Sequence, residues 1–130
     1  MIHYNVVAAV VCHNGKYLCM QKGKTKFEYT SYKWEFPGGK IEPGETPQQA
    51  LARELMEEME YPVEVGEELV TVNHEYPDFS ITMTAYLCTP KAEADGFKRR
   101  EHADSRWCSK GELKGLDWAA ADIDVVEGIL

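Results

Sequence analysis

Between Pro43-Gly44 and Pro62 the chain has one segment whose backbone is left little choice. Thr46-Pro47-Gln48-Gln49 carries three helix-start signals together. Thr46 can cap, Pro47 fits the first helical position where its missing N–H costs nothing, and Gln49 stands where a capping-box partner belongs. This predicts a helix over 47–59, with Pro62 preventing its continuation. Around that helix the apolar pattern has the period of strands. Val6 to Val11 is almost wholly apolar, which marks a central strand covered on both faces. Asn14-Gly15 then folds it into a hairpin with Tyr17 to Met20. Ser80 to Cys88 alternates, with Ile81, Met83, Ala85 and Leu87 on one face and Ser80, Thr82, Thr84 and Tyr86 on the other.

The remaining elements are shorter. Lys22 to Lys26 reads as a basic loop, and Trp34-Glu35-Phe36 as a short strand broken at Pro37-Gly38-Gly39. Val63 to Val72 reads as strand with a turn near Gly66, and Tyr76 to Phe79 as the turn before the alternating strand. Lys91 to His102 is charged and reads as loop, Arg106-Trp107-Cys108 as a short strand, Ser109 to Leu113 as a helical turn, and Ala119 to Leu130 as a terminal helix. With 130 residues the expectation is one domain over 1–130, of the α/β (α+β) class, its mixed β-sheet packed between helices.

Charge narrows the function classes. There are 22 acidic against 14 basic side chains, a net charge of −8. Such a chain is poorly suited to neutralising a DNA or RNA backbone, although a small phosphorylated ligand accompanied by metal ions is compatible with it. No apolar run approaches the roughly 20 residues of a membrane span, and Met1 to Asn5 show no secretory pattern, so a cytoplasmic location is expected. Cys12, Cys19, Cys88 and Cys108 form no C-x-x-C pair. In the hairpin register Cys12 faces Tyr17 and Cys19 faces Val10, which predicts free thiols rather than a disulfide or zinc site. His13, His74 and His102 form no ligand set and read as exposed structural histidines.

At about 100° per residue, Glu54, Glu57 and Glu58 share one arc of the predicted helix, and Leu51, Ala52, Leu55, Met56 and Met59 another. The apolar arc docks the helix on the sheet. Like charges three and four residues apart cost a few tenths of a kcal/mol per pair, and the helix dipole disfavours acids in its last turns. Two readings stand at this point: a solvated acidic face, or a bed for a hard divalent cation that takes oxygen ligands.

The preceding residues extend the pattern. Gly39, five residues, Glu45, seven residues, Arg53-Glu54-Leu55, one residue, then Glu57-Glu58 resembles the box of the Nudix hydrolases. One position departs from it, because Glu60 stands where the family has a glycine that ends the helix in the left-handed conformation. The departure bears on the helix exit, where Pro62 can share the task. Trp34 to Lys40, Glu101-His102 with Trp107-Cys108, and Ala121-Asp122-Ile123 are similar to the MutT-type branch, especially its CTP pyrophosphohydrolases.

The resemblance implies a Nudix fold and Mg2+, or Mn2+, as cofactor. It implies Gly38 (through its carbonyl), Glu54, Glu57, Glu58 and Glu101 as metal ligands. Glu54, Glu57, Arg53 and Glu101 carry the catalytic roles, with Glu45 bracing the loop. It implies hydrolysis of a nucleoside triphosphate to monophosphate and pyrophosphate, with CTP- or dCTP-like nucleotides and oxidised dGTP as leading substrates. A nucleoside diphosphate sugar of the ADP-ribose type, or a non-catalytic nucleotide-binding module, is the alternative. Substrate contacts fall on Lys22 (with Lys24 and Lys26 competing), Lys40, Phe36, Phe79 and Asp122, the last reading the base edge or capping the terminal helix. The implied partner is a small nucleotide, with no nucleic-acid polymer and no membrane, bound by a monomer or homodimer.

Overall fold

The computed structural model describes residues 1–130. Its elements are β1 (Ile2–His13), β2 (Lys16–Lys22), β3 (Trp34–Glu35), β4 (Gly38–Lys40), α1 (Pro47–Met59), β5 (Val63–Glu75), β6 (Phe79–Pro90), β7 (His102–Cys108), α2 (Lys110–Leu113) and α3 (Ala120–Ile129).

The apolar first strand is the axis of the fold. It runs parallel to β6 from Ile2 opposite Phe79 to Val11 opposite Cys88, and β5 lies antiparallel on the outer side of β6. On its other side β1 pairs antiparallel with β4, Ala8 opposite Gly38, and beyond that with β2. Asn14 (φ 51°) and Gly15 (φ 75°) make the hairpin turn with two successive positive-φ residues, as a primed turn requires. From there β2 leads a second group of strands, with β7 on one side and β3 on the other.

Both faces of β1 are covered, because successive side chains point oppositely. Val7, Ala9 and Val11 pack with Ala50, Leu51, Leu55 and Met59 of α1. Ala8 and Val10 belong to the other core, with Trp34, Phe36, Trp118 and Ala121, Val125 and Val126 of α3. The mixed sheet therefore lies between α1 and α3. No helix is long and apolar enough to cross a membrane.

Several boundaries differ from the sequence reading: Gly38–Lys40, expected as the break after a short strand, is itself a strand paired with β1, β2 takes in Lys22, β5 runs on to Glu75, and β6 covers Phe79–Pro90. Gly66 makes no turn; β5 passes through it with shifts of register between Val65 and Val70. A Cβ on Gly66 would lie 2.8 Å from the Leu87 carbonyl, so the residue permits close backbone approach at a bulge. β1 begins at Ile2, and β7 begins at His102 rather than Arg106, because pairing with β2 orders the polar residues ahead of Trp107. Cys12 faces Tyr17 as the hairpin register requires, and all four cysteines are free thiols.

Candidate active site

The site starts at the two glycines of β4. Gly38 presses on β1 so closely that a Cβ there would lie 1.9 Å from the Val7 carbonyl oxygen. Gly39 leaves room for the Glu54 carboxylate, whose atoms lie 2.3–2.8 Å from where a Cβ would stand. After β4, Thr46 accepts the Gln49 N–H (3.1 Å) and the Gln49 side chain accepts the Thr46 N–H (3.0 Å), so α1 starts at Pro47 as its capping signals require.

Arg53 joins β4 and the loop after it to the helix. Its Nε and one terminal nitrogen donate to the two Glu45 oxygens (2.7 and 2.9 Å), and that nitrogen also reaches the Lys40 carbonyl (3.1 Å). The other terminal nitrogen donates to Glu54 and Glu57, each at 3.0 Å. The guanidinium holds the Glu45 carboxyl below the usual carboxylate range. Arg53 thus fixes the loop and steadies two of the acids at once.

Glu58 lies on the inner side of the arc. Burial, then the charges of Glu35, Glu54 and Glu101, push its carboxyl up to about 9. Four carboxylates from α1, β3 and the segment before β7 therefore converge on one region. No three His, Cys, Asp or Glu side chains close into a coordination cage here, since Arg53 draws Glu54 and Glu57 toward itself. The donor set is nonetheless all hard oxygen, and its mutual repulsion is what a divalent cation relieves. The residues fit such an ion.

A second cluster adjoins the first. Glu35 pairs with Lys22 Nζ (3.5 Å) and accepts from His102 Nε2 (3.0 Å). The His102 side chain is only 4% exposed and its Nδ1 has no hydrogen-bond partner. The reading of His102 as an exposed histidine is therefore corrected: pairing with Lys22 across a register shift in β2 places it within reach of Glu35. Asp122 is buried in the first turn of α3, and its Oδ1 accepts the Phe36 N–H (3.0 Å). Ala119 is the helix cap and makes no side-chain capping bond, so capping does not account for Asp122. Burial and then Glu35 push its carboxyl up to about 8.

A cleft of about 600 Å³ is lined by Tyr4, Phe27 and Phe79, with Lys22, Lys26, Lys40 and Asp78 around it, and the pairing of Lys22 with Glu35 links it to the acids. The Phe27 and Phe79 ring centroids are 5.7 Å apart, and Lys40 Nζ stands 4.0 Å from the Tyr4 ring centre. Of the expected substrate residues, Lys22, Lys40 and Phe79 line this cleft. Phe36 and Asp122 do not, and Phe36 is core, stacked on Trp118 with centroids 4.8 Å apart. Lys26 rather than Lys24 joins Lys22 there. Sequence reasoning missed Glu35, Tyr4 and Phe27; an acid on the strand leading to the two glycines was the available signal for Glu35.

An acid-bearing helix braced through arginine to a glycine-bearing strand, on a mixed sheet between helices, defines a Nudix domain. The NUDIX domain model matches residues 3–127, and the chain belongs to the Nudix family. It is 33% identical over 137 residues to the CTP pyrophosphohydrolase of Escherichia coli K12, covering 96% of this chain and 90% of that protein. It is 41% identical over 87 residues to the 8-oxo-dGTP diphosphatase of Proteus vulgaris, covering 65% of this chain and 75% of the relative. The solution structure of the E. coli ORF135 protein matches with a TM-score of 0.82 at 33% identity, over 99% of this chain and 89% of that one. A MutT Nudix hydrolase from methicillin-resistant Staphylococcus aureus 252 matches with a TM-score of 0.74 at 38% identity, over 99% and 97%.

Proposed function

We propose that this chain is a divalent-cation-dependent nucleoside triphosphate pyrophosphohydrolase, converting triphosphate and water to monophosphate and pyrophosphate. The observation that carries the reading is the juxtaposition of the converging carboxylates Glu35, Glu54, Glu58 and Glu101 with a lysine-rimmed aromatic cleft. The named activities of the Proteus and E. coli relatives support it. CTP- or dCTP-like nucleotides and 8-oxo-dGTP are the leading substrates, drawn from the free nucleotide pool of the cytoplasm.

In this reading Glu54, Glu57, Glu58, Glu101 and the Gly38 carbonyl would hold Mg2+, for which Mn2+ could substitute. When bound, a divalent cation there would supply charge to offset the polyphosphate and would acidify a water for attack. Lys22 and Lys40 draw the phosphate chain toward the acids. Arg53 keeps the Glu54 carboxylate over Gly39, where it would serve as general base toward an attacking water. Phe79, with Tyr4 and Phe27, walls in the base, since a base needs an apolar slot with few polar readers. Asp122 and Phe36 stand outside this cleft, and their part is to tie α3 to the link between β3 and β4 through the Phe36 N–H bond to the Asp122 carboxyl.

The test is a panel of ordinary and oxidised nucleoside triphosphates together with ADP-ribose, in the presence of Mg2+, with pyrophosphate and phosphate measured separately. Monophosphate and pyrophosphate in equal amounts are expected. Release of phosphate alone, or a preference for ADP-ribose, overturns the proposal.

A further inference from the structure

The departure from the Nudix pattern at the end of α1 has a structural counterpart. Glu60 takes the left-handed conformation itself (φ 49°, ψ 39°), which a Cβ disfavours and a glycine adopts freely. Its N–H donates to the Met56 carbonyl (3.0 Å), so its backbone does what the family's glycine does. Its side chain does something a glycine cannot. The carboxylate pairs with Lys98 Nζ at 3.1 Å and with Arg100.

Both partners lie in the segment that delivers Glu101. That segment is tied to the helix end at several points: the Lys91 N–H donates to the Pro62 carbonyl (2.9 Å), and the Tyr61 hydroxyl to the Glu93 carbonyl (3.0 Å). The Lys98 N–H donates to the Met59 carbonyl (2.8 Å), and Phe97 meets Tyr61 edge-on at 5.6 Å. Between Lys98 and the start of β7 at His102, the Glu60 carboxylate is the tie to α1. It also engages Arg100, the cation adjoining Glu101 in the chain, so that this charge is directed to the helix end rather than to Glu101.

We propose that Glu60 is a positioning residue whose carboxylate clamps Lys98 and Arg100 onto the end of α1 and so sets Glu101 opposite Glu58. The proposal rests on the reading of Glu101 as a cation ligand. It assigns to one side chain two opposed effects, a left-handed backbone that glycine would adopt more easily and a contact that glycine would lose. Exposed ion pairs contribute little to global stability, so the clamp acts on the placement of Glu101 and not on the fold.

The opposition makes the test sharp. Glu60→Gly should leave the melting temperature of the metal-free protein within about 2 °C of the parent, or raise it. Amide exchange over residues 98–101 should nevertheless quicken, and Mn2+ affinity, read by electron paramagnetic resonance, should fall about tenfold. Glu60→Gln, which keeps the side chain and loses its charge, should lose the same affinity. Glu101→Gln alone should also weaken Mn2+ binding, and adding Glu60→Gly to it should weaken binding no further, because the two act as one unit. Unchanged exchange and affinity in Glu60→Gly would reduce Glu60 to a helix cap. Additive losses would mean that it acts elsewhere than through Glu101. If Glu101→Gln leaves Mn2+ binding intact, the reading of Glu101 falls, and the clamp with it.

Discussion

Asp122 and Arg53 show how single side chains order the surroundings of the clustered acids. Arg53 offers a planar fork of donors and uses it on Glu45, Lys40, Glu54 and Glu57 together, which the point charge of a lysine cannot reproduce. Asp122 works in the opposite sense, as a carboxyl kept from ionising. Burial raises it from its ordinary 3.8 to about 8, so the folded protein binds that proton more tightly than the unfolded chain does. The stability this contributes is whole below pH 4 and is lost progressively as pH rises toward 8. Asp122→Asn cannot titrate and keeps an acceptor for the Phe36 N–H. Its melting temperature relative to the parent should therefore climb steadily between pH 5 and 8 in thermal melts. A difference that stays flat over that range would show that Asp122 is already ionised in the folded state.

At the scale of elements, β4 and α1 form one device, and the two glycines separate its functions. Gly39→Ala meets the Glu54 carboxylate first, the far end of a flexible side chain, so it should cut turnover while melting stays near that of the parent. Gly38→Ala meets the backbone carbonyl of Val7 and should instead lower the melting temperature by opening the β4–β1 pairing. Parallel assays of turnover and melting check both; equal losses of stability would contradict the division.

This device was legible in the sequence because its parts are near neighbours. The cap at Thr46, the acids of one helix arc and the Asn14-Gly15 turn each follow from local spacing. The parallel pairing of β1 with β6 joins distant segments and leaves no local period. The Glu35–His102 contact depends on one shift of register between Gln21 and Lys22, and a shift of one residue turns a strand's side chains to the opposite face. Burial of Phe36 against Trp118 likewise needed the second core, since an aromatic in a short strand fits core and cleft equally well.

At the scale of the whole molecule, the sheet holds two cores apart and brings their edges to one place. α1 supplies Glu54, Glu57 and Glu58 from one side, while Asp122 in α3 reaches the backbone of the β3–β4 link from the other. Burial, and after it the charge of Glu35, raises both Glu58 and Asp122, so Glu35 acts on both sides. The net charge of −8 is thus focused in part on a region of mutually repelling carboxylates, a repulsion that a divalent cation would relieve. The most direct test is a Mn2+ titration followed by electron paramagnetic resonance, on the parent and on a Glu57→Gln, Glu58→Gln double variant of unchanged circular dichroism. The parent should deplete the free Mn2+ signal saturably, and the variant should need at least about tenfold more protein to do so. A parent that leaves the signal as buffer does, or a variant that binds equally well, would contradict the account at its centre.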